Sequence, residues 1–199
     1  MPNWCNNSVE LYHADPAMIE RARAAFNDGK FLNEFIPVPE SLNIVAGSVG
    51  DPDEQRKLEE ATAQNLVDHG YGNWYDFCVG EWGTKWDVGA DGMEPGDYTG
   101  PNGEKGLILS FDSAWAPPIQ AYEKLMDLGF VIRAFYYEPG MCFAGIWEDG
   151  NDDYYDMSGM DSEQAAEELP AELDEMFAIS ENMAEWEAEQ DYEQSDDGA

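Results

Sequence analysis

Apolar and polar residues alternate between Trp4 and Tyr12, with Cys5, Val9 and Leu11 on one side. This predicts a first strand with one buried face. Asp15-Pro16 then gives an N-cap followed by proline at the first helical position. Met18, Ile19, Ala22, Ala25 and Phe26 trace the apolar face of a helix that Gly29 closes. Phe31 to Pro39 holds two prolines that cannot donate to a ladder, so it predicts an extended segment packed by Phe31, Phe35 and Ile36. Asp51-Pro52-Asp53-Glu54 repeats the helix-start signal, with Glu54 placed for a capping box, and this second helix runs to His69 and stops at Gly70. Trp74 to Val79 reads as a short helical turn. Thr84-Lys85-Trp86-Asp87-Val88 alternates as a strand does, and Asp91 to Glu104 reads as a long hairpin connection.

Leu107 to Phe111 predicts the next strand. Pro117-Pro118 opens a helix whose inward residues are Ile119, Tyr122, Leu125 and Met126, closed by Gly129. Phe130 to Glu138 is the clearest strand. Pro139-Gly140 predicts a type II turn into a returning strand at Cys142 to Glu148, and Asp149-Gly150 a second turn toward a short strand near Tyr154–Met157. The order is strand, helix, helix, strand, strand, helix, strand, strand. It predicts an α+β domain over residues 1–157 of ferredoxin-like type, an antiparallel-rich sheet with helices on one face. After Ser158 the composition changes to an acidic helical appendage, 158–199. Asp161 with Gln164 caps a short helix there, and Pro170 restarts it. Leu173, Met176, Phe177, Met183 and Trp186 form a stripe, and Asp191 to Ala199 has no periodicity, as in a frayed or disordered end.

Charge divides the chain more sharply than hydropathy does. Its 43 acidic and 9 basic residues give a formal net charge of −34. No Lys or Arg follows Arg133, and 21 of the acids do. Such a surface repels nucleic-acid backbone and anionic membranes, both of which attract Lys and Arg, so direct contact with either is not expected. Cys5, Cys78 and Cys142 lack CxxC spacing, which fits reduced thiols rather than a disulfide framework or zinc site. With no basic leader and no long apolar run, the expected location is the cytoplasm.

Several blocks resemble a known family. Met1-Pro2-Asn3-Trp4-Cys5-Asn6-Asn7, Glu81 to Asp87, Phe111-Asp112 through Trp115-Ala116-Pro117-Pro118, and Tyr137-Glu138-Pro139-Gly140-Met141 through Gly145 are similar to the YubB-like (Api-like) proteins of bacteriophages and conjugative plasmids. The resemblance covers residues 1 to about 157. It implies a ferredoxin-like domain and a mobile-element origin, and it implies no reaction.

Candidate chemistry is sparse. His13 ends a strand and His69 ends a helix, where imidazolium suits the dipole, and neither lies near a Ser or Cys nucleophile in sequence. Asp149 to Asp153 begins like a calcium loop but has Tyr154 at the sixth position and Met160 at the twelfth. Gly70-Tyr71-Gly72 lacks the rest of a phosphate loop. No catalysis, cofactor or metal site is expected. Trp82, Trp86 and Trp115 read first as core or core-rim anchors and otherwise as a recognition surface, since a Trp is costly to leave exposed.

The 15 acids between Asp161 and Asp197 allow three readings: solvation, adaptation to high salt, or imitation of a polyanion. Their uneven placement speaks against salt adaptation. As one helix at ~1.5 Å per residue the segment places a charge every ~3.7 Å, close to the ~3.4 Å between phosphates of a DNA strand. The leading expectation is therefore a non-catalytic binding protein that mimics nucleic acid in the basic groove of a host DNA- or RNA-handling or defence protein. Glu172, Asp174, Glu175, Glu181, Glu185 and Glu189 would be the phosphate stand-ins. The alternative is a small-molecule or peptide-binding module whose aromatic groove uses Trp82, Trp86, Trp115 and Tyr137, with the tail only solubilising.

Overall fold

The computed structural model describes the backbone of residues 3–196, with the side chains of the final helix described through Gln190. Six strands form one antiparallel sheet: β1 (Trp4–His13), β2 (Gly96–Thr99), β3 (Lys105–Ala114), β4 (Phe130–Glu138), β5 (Phe143–Glu148) and β6 (Asn151–Asp156), in the order β2-β3-β1-β4-β5-β6. The β2-β3-β1-β4 portion is the ferredoxin-like arrangement expected from the element order, and β5 and β6 extend it by two hairpins. Since β1 is antiparallel to both β3 and β4, the links β1→β2 and β3→β4 must each cross over the sheet, and helices make both crossings.

Strand alternation gives the sheet two buried faces. Val9 and Leu11 of β1, Leu107, Leu109 and Phe111 of β3, and Phe130, Ile132 and Ala134 of β4 point to one side. There they meet α1 (Pro16–Asn27), α2 (Phe31–Phe35), α4 (Trp74–Glu81) and α5 (Ile119–Asp127), which contribute Ile19, Phe26, Phe31, Phe77, Tyr122 and Leu125. Each large side chain enclosed this way stabilises the fold by ~1.5–3 kcal/mol. The remaining helix of this half, α3 (Pro52–His69), stands apart and buries only Asn65, whose side-chain amide donates to Ser41 O at 2.9 Å. Asp51 caps it through Asp53 N and Glu54 N, without the reciprocal bond that a capping box from Glu54 would add.

The opposite face carries the acidic tail. α6 (Ser162–Glu168), α7 (Ala171–Phe177) and α8 (Ile179–Asp196) lie over β4 and β5, where Ala165, Leu169, Leu173 and Ile179 pack on Phe135, Ala144 and Ile146. A capping box joins Asp161 to Gln164, as the sequence indicated. The tail is not one long rod. It breaks at Leu169-Pro170 and again at Ala178, whose φ of 50° ends α7 in the left-handed region. α8 continues through Asp196, beyond the point where periodicity stops, and the fraying expected for residues 197–199 lies outside the described residues.

Three expectations need correction. No strand forms at Thr84–Val88: the chain turns at Gly83 (φ 85°), and the alternation records separate tasks. Thr84 Oγ1 donates to Ala114 O, Asp87 reaches α2, and Val88 enters the core. The second strand is instead Gly96–Thr99, inside the predicted connection. Phe31–Phe35 is helical rather than extended because the Asp87 carboxylate, 55 residues away, accepts from Leu32 N and Asn33 N and supplies the missing cap. Finally, Glu138–Met141 is not a type II turn, since Gly140 lacks the positive φ that type requires and the positive φ falls instead at Cys142 (56°). The Glu138 carboxylate holds this turn by accepting from Gly140 N and Met141 N.

Candidate functional site

The few basic residues are largely consumed by internal pairs. Arg21 pairs with Glu34, Arg23 with Asp97, Arg56 with Asp53, Lys105 with Glu20, Lys124 with Glu81, and Arg133 with both Glu148 and Glu172. Among the described residues only Lys30, Lys57 and Lys85 are outside such pairs, and most carboxylates have no cationic partner.

The six acids singled out in the tail divide by what they touch. Glu172 Oε1 accepts from Arg133 Nη2 at 2.5 Å and ties α7 to the sheet. Asp174 accepts from Ser180 N at 2.7 Å and Ser180 Oγ at 2.6 Å, which closes the α7–α8 corner. Both are therefore occupied by the fold. Glu175, Glu181, Glu185 and Glu189 are exposed. The last three, at i, i+4 and i+8 of α8, form one ridge along the helix with a carboxylate roughly every 6 Å. Glu187 points elsewhere and accepts from Ser162 N and Oγ at 2.9 and 2.7 Å, fastening α8 to α6.

The four aromatic residues do not share a groove. Trp82 is 4% exposed in the core, and its Nε1–H donates to Ile36 O at 2.9 Å. Trp86 and Trp115 are 39% and 50% exposed, so neither is a core anchor. Gly83 and the capping duty of Asp87 carry Trp86 out of the core, and Trp115 sits in a left-handed turn (φ 74°) just past β3. Trp86 meets Trp4 at a centroid distance of 5.8 Å, under Lys85 Nζ at 4.6 Å. Tyr137 lies on the tail side of the sheet, 6.0 Å from Phe177. Beside Trp4 and Trp86 a cavity of about 420 Å³ is lined also by Asp28, Asp87, Asp91 and Asp112. Elsewhere on the tail-side face, Asn6, Ser8 and Ser110 line a hollow together with Met93, Met176 and Phe177.

A second cavity, of about 400 Å³, lies between α8 and the β4–β5 turn, with Tyr137, Cys142, Met157, Met160, Met183 and Trp186 on its walls. Sequence reasoning placed Met183 and Trp186 on an apolar stripe but missed the groove. The signal was that stripe's continuation past what a core could cover, with Trp186 left 63% exposed.

Ionisable groups elsewhere look structural. Burial pushes the Cys5 and Cys78 thiols up to about 12, which keeps them protonated and unreactive. Burial also raises the Asp87 carboxyl despite its three backbone donors. His69 Nε2 meets Ser41 Oγ at 2.9 Å at the exposed end of α3, beside the Asn65 amide that holds the same loop. Among the described residues no group of His, Cys, Asp and Glu is placed to hold a metal ion, and no helix is long and apolar enough to cross a membrane.

These features define the chain as an α+β protein of ferredoxin-like strand order with an acidic helical cover. No family model matches it, and no curated protein does. Among solved structures, the protein api92 from Yersinia pseudotuberculosis (family model DUF1281) is similar at 13% identity with a TM-score of 0.37, over 78% of this chain and 98% of that one.

Proposed function

We propose that this chain is a non-catalytic acidic binding protein that occupies a basic groove on a nucleic-acid-handling protein of a bacterial host, in the place of DNA or RNA. The supporting observation is the Glu181/Glu185/Glu189 ridge, exposed on a surface most of whose bases are spent on internal pairs. The fit is to successive basic side chains on a partner rather than to every phosphate of a strand. The folded tail presents three carboxylates about 6 Å apart over ~12 Å of one helix, not a single long helix running the length of the tail. Glu175 is exposed on α7, while Glu172 and Asp174 serve the fold. Attraction of this kind speeds encounter and weakens with salt.

The test is retention of host proteins on the immobilised full chain, compared with E181Q/E185Q/E189Q. The expected result is recovery of a nucleic-acid-binding protein whose DNA or RNA binding the soluble chain inhibits, with inhibition weakened at least about tenfold in the triple variant. Recovery of no such protein, or inhibition indifferent to the triple substitution and to salt, overturns the proposal.

A further inference from the structure

We infer that the cavity between α8 and the β4–β5 turn anchors a basic amphipathic segment of the partner, with an apolar side chain seated among the methionines and flanking Lys or Arg residues paired with α8 carboxylates. This rests on the functional reading above and gives it an address. The walls combine Met157, Met160 and Met183 with the rings of Tyr137 and Trp186. Thioether side chains are unbranched and polarisable, so such a wall reshapes around different guests at little cost. At about 400 Å³ the space suits one or two large side chains.

Exposure at the rim is the second observation. Among the described side chains of α8 the other large apolar residues, Ile179 and Met183, are buried or half-buried, yet Trp186 stays 63% exposed. A ring left in water beside an apolar cavity is the kind of residue that anchors interfaces. Charge then selects the guest. Asn182 and Trp186 line the cavity, and on the neighbouring face of the same helix run Glu181, Glu185 and Glu189. No Lys or Arg follows Arg133, and Arg133 is held by Glu148 and Glu172. An acidic guest is repelled, as is a second copy of a chain carrying −34. An apolar guest flanked by cations satisfies both halves of the site.

Cys142 supplies the readout, because it lines the cavity and is exposed whereas Cys5 and Cys78 are buried. The probe is a Leu/Lys amphipathic peptide of about 18 residues, five helical turns, with a control in which every Leu is Ala and every Lys is kept. The Leu/Lys peptide is expected to slow alkylation of Cys142 by iodoacetamide at least about tenfold at saturation, and the control peptide less than about twofold. Trp186→Ala, at an exposed position, should weaken Leu/Lys peptide binding about tenfold without altering the fold by circular dichroism.

Equal binding of both peptides with Cys142 still reactive would leave the charge-based reading standing and overturn the groove. Failure of both peptides to bind would overturn both. Cys142 protection that grows with protein concentration in the absence of peptide would identify the guest as a second copy and overturn the inference.

Discussion

The two faces of one sheet are closed by opposite means. On one, α1, α2, α4 and α5 bring large rings, and Phe26, Phe31, Tyr122 and Trp147 are fully enclosed. On the other, α6–α8 enclose a smaller set in which Leu169, Leu173 and Ile179 are the main contributors from the tail, under an outer surface of carboxylates. The first cover is held chiefly by area, with Arg23–Asp97 and Lys105–Glu20 adding ties from α1 to the sheet. The second is held by less area against its own charge, so it is the layer whose stability should depend on salt and whose opening should precede global unfolding. A binding surface belongs on such a layer.

The largest expected effects separate these faces directly. Phe26→Ala should cost ~3–5 kcal/mol and lower protection of amides throughout the sheet. Leu173→Ala should cost ~2–4 kcal/mol, but mainly by releasing α6–α8. Native-state hydrogen exchange checks this. If Leu173→Ala lowers protection in β1 and β3 as much as in α7 and α8, the two layers form one cooperative unit and the contrast fails.

The apolar face was also the legible one. Its signals are local and repeated: period-two strands, the Asp15-Pro16 start, the glycine stops. What escaped was non-local. The helix at Phe31–Phe35 depends on a carboxylate 55 positions away, and no window of sequence contains both ends of that bond. Likewise the residue types of Thr84–Val88 alternate as in a strand, but burial does not follow them: Trp86 is exposed between buried Thr84 and Val88, and no partner strand lies beside the segment. In the tail, composition revealed the charge, but the folding of Asp174 onto Ser180 and Glu187 onto Ser162 decided which acids remained free. The aromatic groove failed for the same reason: Trp82 and Tyr137 are on opposite sides of the sheet.

A smaller effect is expected at the sheet's end. Trp82→Ala should resemble Phe26→Ala, whereas Trp86→Ala should cost only ~1 kcal/mol, chiefly its contact with Trp4. Urea midpoints of the two variants measure the difference, and comparable losses would mean that Trp86 belongs to the core after all.

The thiols sharpen the contrast through pH. Cys5 and Cys78 on the apolar side have native values near 12, against 9.0 for the ordinary thiol. The native state therefore keeps protons that the unfolded chain releases, so stability is fully present below pH 9.0 and is lost as pH rises toward about 12. Just above pH 9.0, before tyrosines contribute, Cys5→Ala should reduce the slope of stability against pH by up to one proton. An unchanged slope would mean that Cys5 ionises as freely folded as unfolded.

The smallest effect bears most closely on the acidic layer. Arg133 is the last base of the chain, and it stands on the tail side of β4 with Nε 3.1 Å from Glu148 and Nη2 2.5 Å from Glu172, its guanidinium 4.8 Å from the Phe135 ring. Burial alone would lower its pKa, but the hydrogen bond and charge of Glu172 outweigh that and hold it above the ordinary arginine value. Partial exposure limits what the pair contributes, so Arg133→Gln should cost only ~0.5–1 kcal/mol at low salt. The loss should concentrate in α7 and α8, as a roughly two- to fivefold fall in exchange protection, because Glu148 and Glu172 are then left to repel each other. In about 0.5 M salt that repulsion is screened and the difference should shrink. An equal loss at both salt concentrations would show that Arg133 acts through packing on Phe135, and that the acidic cover is held, like its counterpart across the sheet, chiefly by area.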